Sequence, residues 1–366
     1  MDGRNRFASL ARPGLGMASA SQAGIDLKLD RFAGTSQRRF SEALQCAPPG
    51  KQIHISIGEH PVDLCLGDES LGPVFCAALN CTDIQGRGLA PFRIVLHTFA
   101  SAGISHSVSS GAADNEVLVL HDAELTYISQ RNGEFVCCVD WKRNTGYCVV
   151  PDASRVPFID SAAPLRHLLS LWFGRQGKAL THAAAVGVGS EGVLIVGHGG
   201  SGKSTTSVLC MADGLEFVSD DHCLVGLEDG PAVYSLYSSV KIAAADVDGL
   251  PVLGAIPQLG GRPPAEKMVF LLNGCSAVRL SRKLRIRGLF LAQIVARNES
   301  SLRPAGRAQA FKTLSASTAL HLPGERRNAL SIFAELSRRV PAYLLELGSD
   351  RRQIPELIRN YLWEAD

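Results

Sequence analysis

No stretch of this chain reaches the ~18 consecutive apolar residues that a membrane span needs; Glu191 and several glycines interrupt the longest candidate, around 183–196. A cytoplasmic protein without a membrane partner is therefore expected. No C-x-x-C pair occurs either. The ten cysteines, at 46, 65, 76, 81, 137, 138, 148, 210, 223 and 275, sit mostly inside apolar runs and lack the spacing of metal ligands. They read as free, buried thiols of a reducing compartment, and adjacent Cys137 and Cys138 on one strand would point to opposite faces rather than to one zinc ion. Overall charge is nearly balanced, with a formal net of +2 and only 20% charged residues, which gives no case for a nucleic-acid partner. Internal repeats are absent. One local excess stands out: between Ser276 and Arg327, eleven Lys or Arg accompany two acids, Glu299 and Glu325. Such a run is either a solvated face or a surface for an anionic partner or phosphate.

What the chain does have is length for two domains, with 366 residues and 46% hydrophobic content. Residues 1–25, rich in Ala, Gly, Ser and Arg, read as a disordered start, with a transit peptide as the other reading. Residues 26–150 alternate short β-rich runs with turn residues, at 53–57, 92–96, 116–120, 125–128 and 134–139, after a possible short helix at 36–44. This half reads as an N-terminal β-rich domain with no chemical motif; it either holds substrate or builds a homo-oligomer. Three prolines in 151–164 mark a linker. Residues 165–366 then read as an α/β domain. Pro164 suits the first turn of a helix with Leu165, Leu168, Leu169 and Trp172 on one face. Strands follow at 180–188, 192–196 and 215–218, a hairpin at 223–227 and 232–237, strands at 267–272 and 284–295, and helices near 306–320 and 326–340. A strand at 342–347 and a helix at 354–363 end the chain.

The informative stretch is Gly197-His-Gly-Gly-Ser-Gly-Lys-Ser204, which fits the Walker A phosphate loop G-x-x-x-x-G-K-[ST] between an apolar strand and a helix beginning near Thr205. Gly199, Gly200 and Gly202 let the backbone curl so that successive N–H groups, including that of Ser201, face one anion at a helix N-terminus. Lys203 reaches the terminal phosphates, and Ser204 offers its hydroxyl to Mg²⁺. A Gly-rich turn before a helix is the plain alternative. Downstream, the strand that begins at Glu216 ends in Asp220 and Asp221. One acid can hold the metal and the other can accept the proton of an attacking hydroxyl, although Asp-Asp after a strand is also good turn chemistry. His182, at the head of the 180–188 strand, reads on residue type alone as a hydrogen-bonded imidazole of core or surface.

His182, Lys203-Ser204 and Asp220-Asp221 follow one another at separations of 21 and 17 residues. In that order and spacing the chain resembles HPr kinase/phosphorylase over roughly 180–221. The resemblance implies a C-terminal P-loop HPr-kinase-like domain, a mixed sheet with helices, that uses ATP and Mg²⁺. It implies that His182 and Lys203 assist at the transferring phosphate, that Ser204 binds the metal, and that Asp220 and Asp221 divide the base and metal roles in an order left open. The family's Gly-rich, Glu-bearing signature after the hairpin has no clear counterpart here, nor has its first domain. A longer pattern, Ser-Val-Lys241, Glu266-Lys267, Ala316-Ser-Thr-Ala-Leu-His-Leu-Pro-Gly324 and Leu-Glu-Leu-Gly348, is similar to HPr-kinase-like enzymes that tailor lasso-type precursor peptides. By that resemblance the acceptor is a serine hydroxyl of a peptide or small protein, and Lys241 and Lys267 neutralise phosphate charge or remain surface lysines.

Other nucleotide chemistries can be trimmed. The chain has no Asn-Lys-x-Asp guanine reader, no Leu-Ser-Gly-Gly transporter signature, and neither the His-Arg-Asp nor the Asp-Phe-Gly of ordinary protein kinases. A nucleotide-binding regulator with slow ATPase activity and a small-molecule hydroxyl kinase remain as alternatives.

Overall fold

The computed structural model describes residues 44, 50–83, 91–103, 117–121, 124–130, 134–260, 266–319 and 326–364. The expected disordered start at 1–25, and the helix at 36–44 apart from its last residue, lie outside them. Strands β1 (Lys51–Ile57) and β2 (His60–Leu66) form a hairpin whose turn residues Gly58 and Glu59 both have positive φ, 56° and 69°. That backbone hand matches the twist of paired strands. After α1 (Gly72–Cys76) come β3 (Thr82–Asp83), β4 (Phe92–Thr98), β5 (Val117–His121), β6 (Leu125–Gln130), β7 (Phe135–Asp140) and β8 (Thr145–Val150), and the eight strands make one sheet in the order β3-β1-β2-β4-β8-β7-β6-β5. Cys137 and Cys138 fall in different apolar clusters on the two faces of β7.

Strands β2 and β8 escape sequence reading because each contains a residue that strands avoid. Pro61 stands at the head of β2, and Gly146 lies within β8. The glycine has a packing reason: a Cβ there would lie 2.8 Å from Phe92 and 2.9 Å from Leu168, so only a bare backbone lets the next helix approach.

That helix, α3 (Arg166–Arg175), follows the short α2 (Phe158–Ser161) and buries His167, Leu168, Leu169, Leu171, Trp172 and Phe173. A helix apolar on most of its circumference must be enclosed. Its side chains share one cluster with Ile57 and Phe92 of the first sheet and with Leu180, Leu224 and Tyr234 of the second. Trp172 stacks on Phe92 at 4.6 Å and donates its indole N–H to Asn144. Pro164 is not in the first turn, contrary to expectation. Its carbonyl accepts the Tyr237 hydroxyl at 3.0 Å, Leu165 turns into the left-handed region (φ 59°), and the helix starts one residue later.

The second half adds β9 (Ala179–Thr181), β10 (Ala184–Val188), β11 (Glu191–Val196), α4 (Lys203–Ala212), β12 (Glu216–Ser219), β13 (Cys223–Gly226), β14 (Ala232–Ser235), β15 (Ser239–Ala243), β16 (Gln258–Gly260), β17 (Lys267–Leu271), β18 (Lys283–Ile294) and β19 (Ser301–Ala305). Helices α5 (Arg307–Ala319) and α6 (Arg326–Arg339), β20 (Ala342–Leu347) and α7 (Gln353–Glu364) complete it. A nine-stranded mixed sheet runs β12-β10-β11-β18-β14-β13-β9, with β20 paired to β18 and β19 to β20, while β15, β17 and β16 form a small sheet beside it. Helices α4 and α7 pack on one face of the large sheet, and α5 and α6 on the other. The chain is thus α/β with mixed sheets and helices. No helix among the described residues is long and apolar enough to cross a membrane.

The single strand expected at 180–188 is two strands. Thr181 ends β9 at one end of the sheet order, and Ala184 begins β10 near the other. Likewise Ser219 ends β12 and Cys223 begins β13, again at opposite ends. Links this short span at most ~11 and ~14 Å. The sheet must therefore curl until its two ends nearly meet, with both links crossing the seam side by side.

Because Leu168 is fully buried between the two sheets, Leu168→Ala should destabilise the chain by about 2–5 kcal/mol. Urea unfolding followed by tryptophan fluorescence checks this, and a loss under ~1 kcal/mol would contradict the enclosed position of α3.

Candidate functional site

Strand β11 runs parallel to β18, and β18 parallel to β20, so all three end on the same side of the sheet. The loop after β11 lies there. Gly200 and Gly202 take φ values of 78° and 93°, and a Cβ on Gly202 would come within 2.5 Å of Leu347 at the end of β20. Glycine is therefore favoured at Gly202 by its backbone hand, and a larger residue would also have to displace the tip of the Leu347 side chain. Lys203 opens α4 and folds back over the loop, its Nζ donating to the carbonyls of Gly197 (2.8 Å) and His198 (3.1 Å). Burial lowers the pKa of this amine, against the pull of Asp221 and Asp220. The hydroxyls of Ser201 and Thr206 are buried without a partner among the described residues.

The two acids occupy the seam link after β12, and their surroundings differ sharply. Asp220 is 1% exposed; its Oδ2 accepts the backbone N–H of Lys241 at 2.7 Å, while Oδ1 is buried without a full hydrogen bond. Burial, and then the neighbouring charge of Asp221, push its carboxyl up to about 6, although Ser204 and the Lys241 N–H moderate the rise. Asp221 has a side chain 26% exposed and receives the Lys241 ammonium on Oδ2 at 2.7 Å. His182 Nε2 stands 3.0 Å from its Oδ1, and His222 Nδ1 stands 2.9 Å from its Oδ2. Burial alone would raise Asp221, yet His222, Lys241 and the hydrogen bonds from both imidazoles hold its carboxyl well below the usual range. His222 is pushed down to about 4 by burial despite that carboxylate, which leaves it neutral at neutral pH.

His182 lies in the other seam link. Its Nδ1 is 3.1 Å from the Ser317 carbonyl, which can only accept, so that nitrogen donates; its backbone N–H donates to Thr318 Oγ1 at 3.2 Å. The last turn of α5 thus aims the ring, and both ring nitrogens face acceptors. His182 and His222 lie nearly parallel, 5.4 Å apart.

These groups surround a cavity of about 450 Å³. His182, Gly199, Gly200, Ser201, Gly202, Lys203, Ser204, Thr205 and Asp221 line it, whereas Gly197 and Asp220 do not. Lys241 and Lys267 also line it. Sequence reading missed His222, although it directly follows the acidic pair. The apolar wall of Ile294, Val295, Leu347 and Ile354, with Arg351 and Asp246 paired at 3.0 Å, was missed too. Those strand ends look like core in the sequence, yet Ile294 is 67% exposed.

Among the described residues no three His, Cys, Asp or Glu side chains gather as a metal site. A Mg²⁺ ion prefers few protein ligands and completes its shell with phosphate and water. Ser204 beside the incompletely bonded Asp220 Oδ1 fits that demand.

No family model matches the chain, and no curated protein does. Among solved structures, the Hpr(Ser) kinase/phosphatase from Coxiella burnetii is similar at 14% identity, with a TM-score of 0.27, over 50% of this chain and 91% of that one. A superposition that loose places no individual residue.

Asp220 yields a pH test. Its folded value of about 6 lies above the ~3.9 of a free aspartate, so the fold holds this proton more tightly than the unfolded chain does. The stability it contributes is full below pH ~4 and is lost as pH rises through about 6, where a buried charge appears. Asp220→Asn should therefore be more stable than the native chain at pH 7, by on the order of 3 kcal/mol, with the difference vanishing near pH 4. Unfolding midpoints measured from pH 4 to 8 decide it; a difference independent of pH would remove the raised carboxyl.

Proposed function

We propose that this chain is a kinase that moves the terminal phosphoryl group of ATP, with Mg²⁺, to a serine hydroxyl of a peptide or small protein. The observation that supports this most is that the loop glycines, Lys203, Ser204, Asp221 and His182 all line one cavity. Loop N–H groups and Lys203 would hold the phosphates, and Lys203 is already oriented by two carbonyls. Ser204 and Asp220 would hold the ion, which when bound supplies charge neutralisation between the phosphates.

Asp221 is the acid that opens on the cavity, so it is the one placed to orient the acceptor hydroxyl and receive its proton. A lowered pKa does not exclude that role, because phosphoryl transfer depends on positioning and charge more than on base strength. His182, anchored by Ser317, fixes the rotamer of Asp221, and Lys241 balances its charge. The apolar wall ending in Ile294 and Leu347 suits the flat base of the nucleotide.

Labelled ATP, offered with serine peptides, with peptides ending in serine such as a precursor C-terminus, with free serine and sugars, and with no acceptor, separates the readings. Label on a peptide supports the proposal, label on a metabolite favours the small-molecule kinase, and release only to solvent favours the regulator. Lys203→Ala should abolish transfer while leaving the circular dichroism spectrum unchanged. Asp221→Asn should lower kcat about 10²–10⁴-fold with the KM for ATP changed less than about tenfold. Undiminished transfer by Lys203→Ala would discard the loop as the site of chemistry.

A further inference from the structure

None of the basic residues between Ser276 and Arg327 lines the cavity just described, but two of the arginines help to build another. A cavity of about 480 Å³ opens at the opposite end of the large sheet, with Arg285 and Arg287 of β18, Arg339 of α6, Tyr343, Tyr361 and Glu364 on its walls. Nine residues of β18 separate Arg285 from Ile294, about 30 Å of strand, so this is not an extension of the phosphate-loop cavity.

Four arginines at or beside this cavity, Arg285, Arg287, Arg338 and Arg339, share two carboxylates. One carboxylate, Glu191, serves both Arg285 at 3.6 Å and Arg287 at 3.5 Å, distances longer than a hydrogen bond, and its Oε2 is buried without one. Arg338 and Arg339 likewise share the single carboxylate of Glu335. The Arg285 and Arg339 side chains are 65% and 48% exposed, free enough to turn their planar forks onto an incoming oxyanion. Behind them stand two rings: Tyr343 and Tyr361 meet edge to face at 5.1 Å, and Tyr361 is held by donating its hydroxyl to the Arg287 carbonyl at 2.9 Å.

We propose that this cavity binds a small phosphate monoester with a flat apolar body, its dianion held by the arginine forks and its body laid on the tyrosines. Glu364 sets the orientation by repelling the anionic end to the arginine side. Phosphate is chosen over a carboxylate because three arginines line the cavity, more than one carboxylate can use.

The test is calorimetric titration of phenyl phosphate into the full chain, with inorganic phosphate and benzoate as comparison probes. The native chain should show two sites, one of them lost in Lys203→Ala. The other should weaken at least about tenfold in Arg285→Ala/Arg339→Ala, the worth of one charged hydrogen bond, with the Lys203-dependent site unaffected. Arg285→Glu, at a mostly exposed position, provides a second variant and should give the same loss. Phenyl phosphate should bind this second site more tightly than inorganic phosphate, and benzoate more weakly than either. Unchanged stoichiometry and affinity in both arginine variants would overturn the site, and a preference for benzoate would overturn the ligand class.

Discussion

Two peptide links too short to go around a flat sheet, Thr181 to Ala184 and Ser219 to Cys223, govern the rest of the site. Each joins strands at opposite ends of the sheet order, so the sheet can form only if it curls and brings those ends together. The links then cross the seam next to each other, and the side chains they carry have no choice of neighbour. His182 comes from one link, Asp221 and His222 from the other, and they meet at hydrogen-bond distance. Lys241 of β15 ties both acids at once, with its backbone N–H on Asp220 and its ammonium on Asp221. The position of these groups follows from strand connectivity and not from flexible loop packing.

Adjacent identical residues end in opposite electrostatic states for a reason that can be traced to Lys241. The Lys241 ammonium pairs with Asp221, whose charge is then also supported by two imidazoles. Asp220 receives the Lys241 amide N–H and the Ser204 hydroxyl but no ammonium, while sitting deeper and next to an existing negative charge, so its proton is held to about pH 6. Two carboxylates so close divide labour because their environments have already been divided. The deeper one is suited to a cation that would supply the missing charge, and the shallower one to a neutral hydroxyl arriving through the cavity. The incompletely bonded, buried Oδ1 of Asp220 is a local cost that no packing argument explains.

The strand and helix on either side of the Gly197–Ser204 loop were legible because an apolar run leads into a glycine-rich turn, and β20 because four of its six residues are large and apolar. Three things were not. Strands β2 and β8 hide behind Pro61 and Gly146, residues that stand at a strand start and at a close helix approach. The break at His182 is invisible because apolar residues continue on both sides, and only hydrogen-bond pairing shows that Leu180 and Ala184 belong to opposite ends of the sheet. The wall of Ile294, Val295 and Leu347 reads as buried strand, since a sequence does not reveal which end of a strand faces a cavity. In each case the missing information is long-range pairing, which local composition does not encode.

The parallel set β11, β18 and β20 explains why the candidate site and the arginine-lined cavity occupy opposite poles. Parallel strands send their carboxyl ends to one side, where a chain leaving β11 can turn into a helix and present N–H groups outward. Their amino ends, on the other side, receive chain from Ser190, Arg282 and Pro341, and long basic side chains gather there. On the proposed readings, an oxyanion at the first pole would be met by fixed backbone dipoles, and one at the second by exposed guanidiniums. The first arrangement costs little reorganisation when charge moves during a reaction, whereas the second suits holding a ligand whose charge does not change. The Leu347 side chain at the end of β20 lies close against Gly202, so the loop packs on the end of that strand. The shape of the first pole is therefore set by the sheet itself, and a substitution at the far end of β20 that shifts this strand would disturb the loop without touching any residue in it.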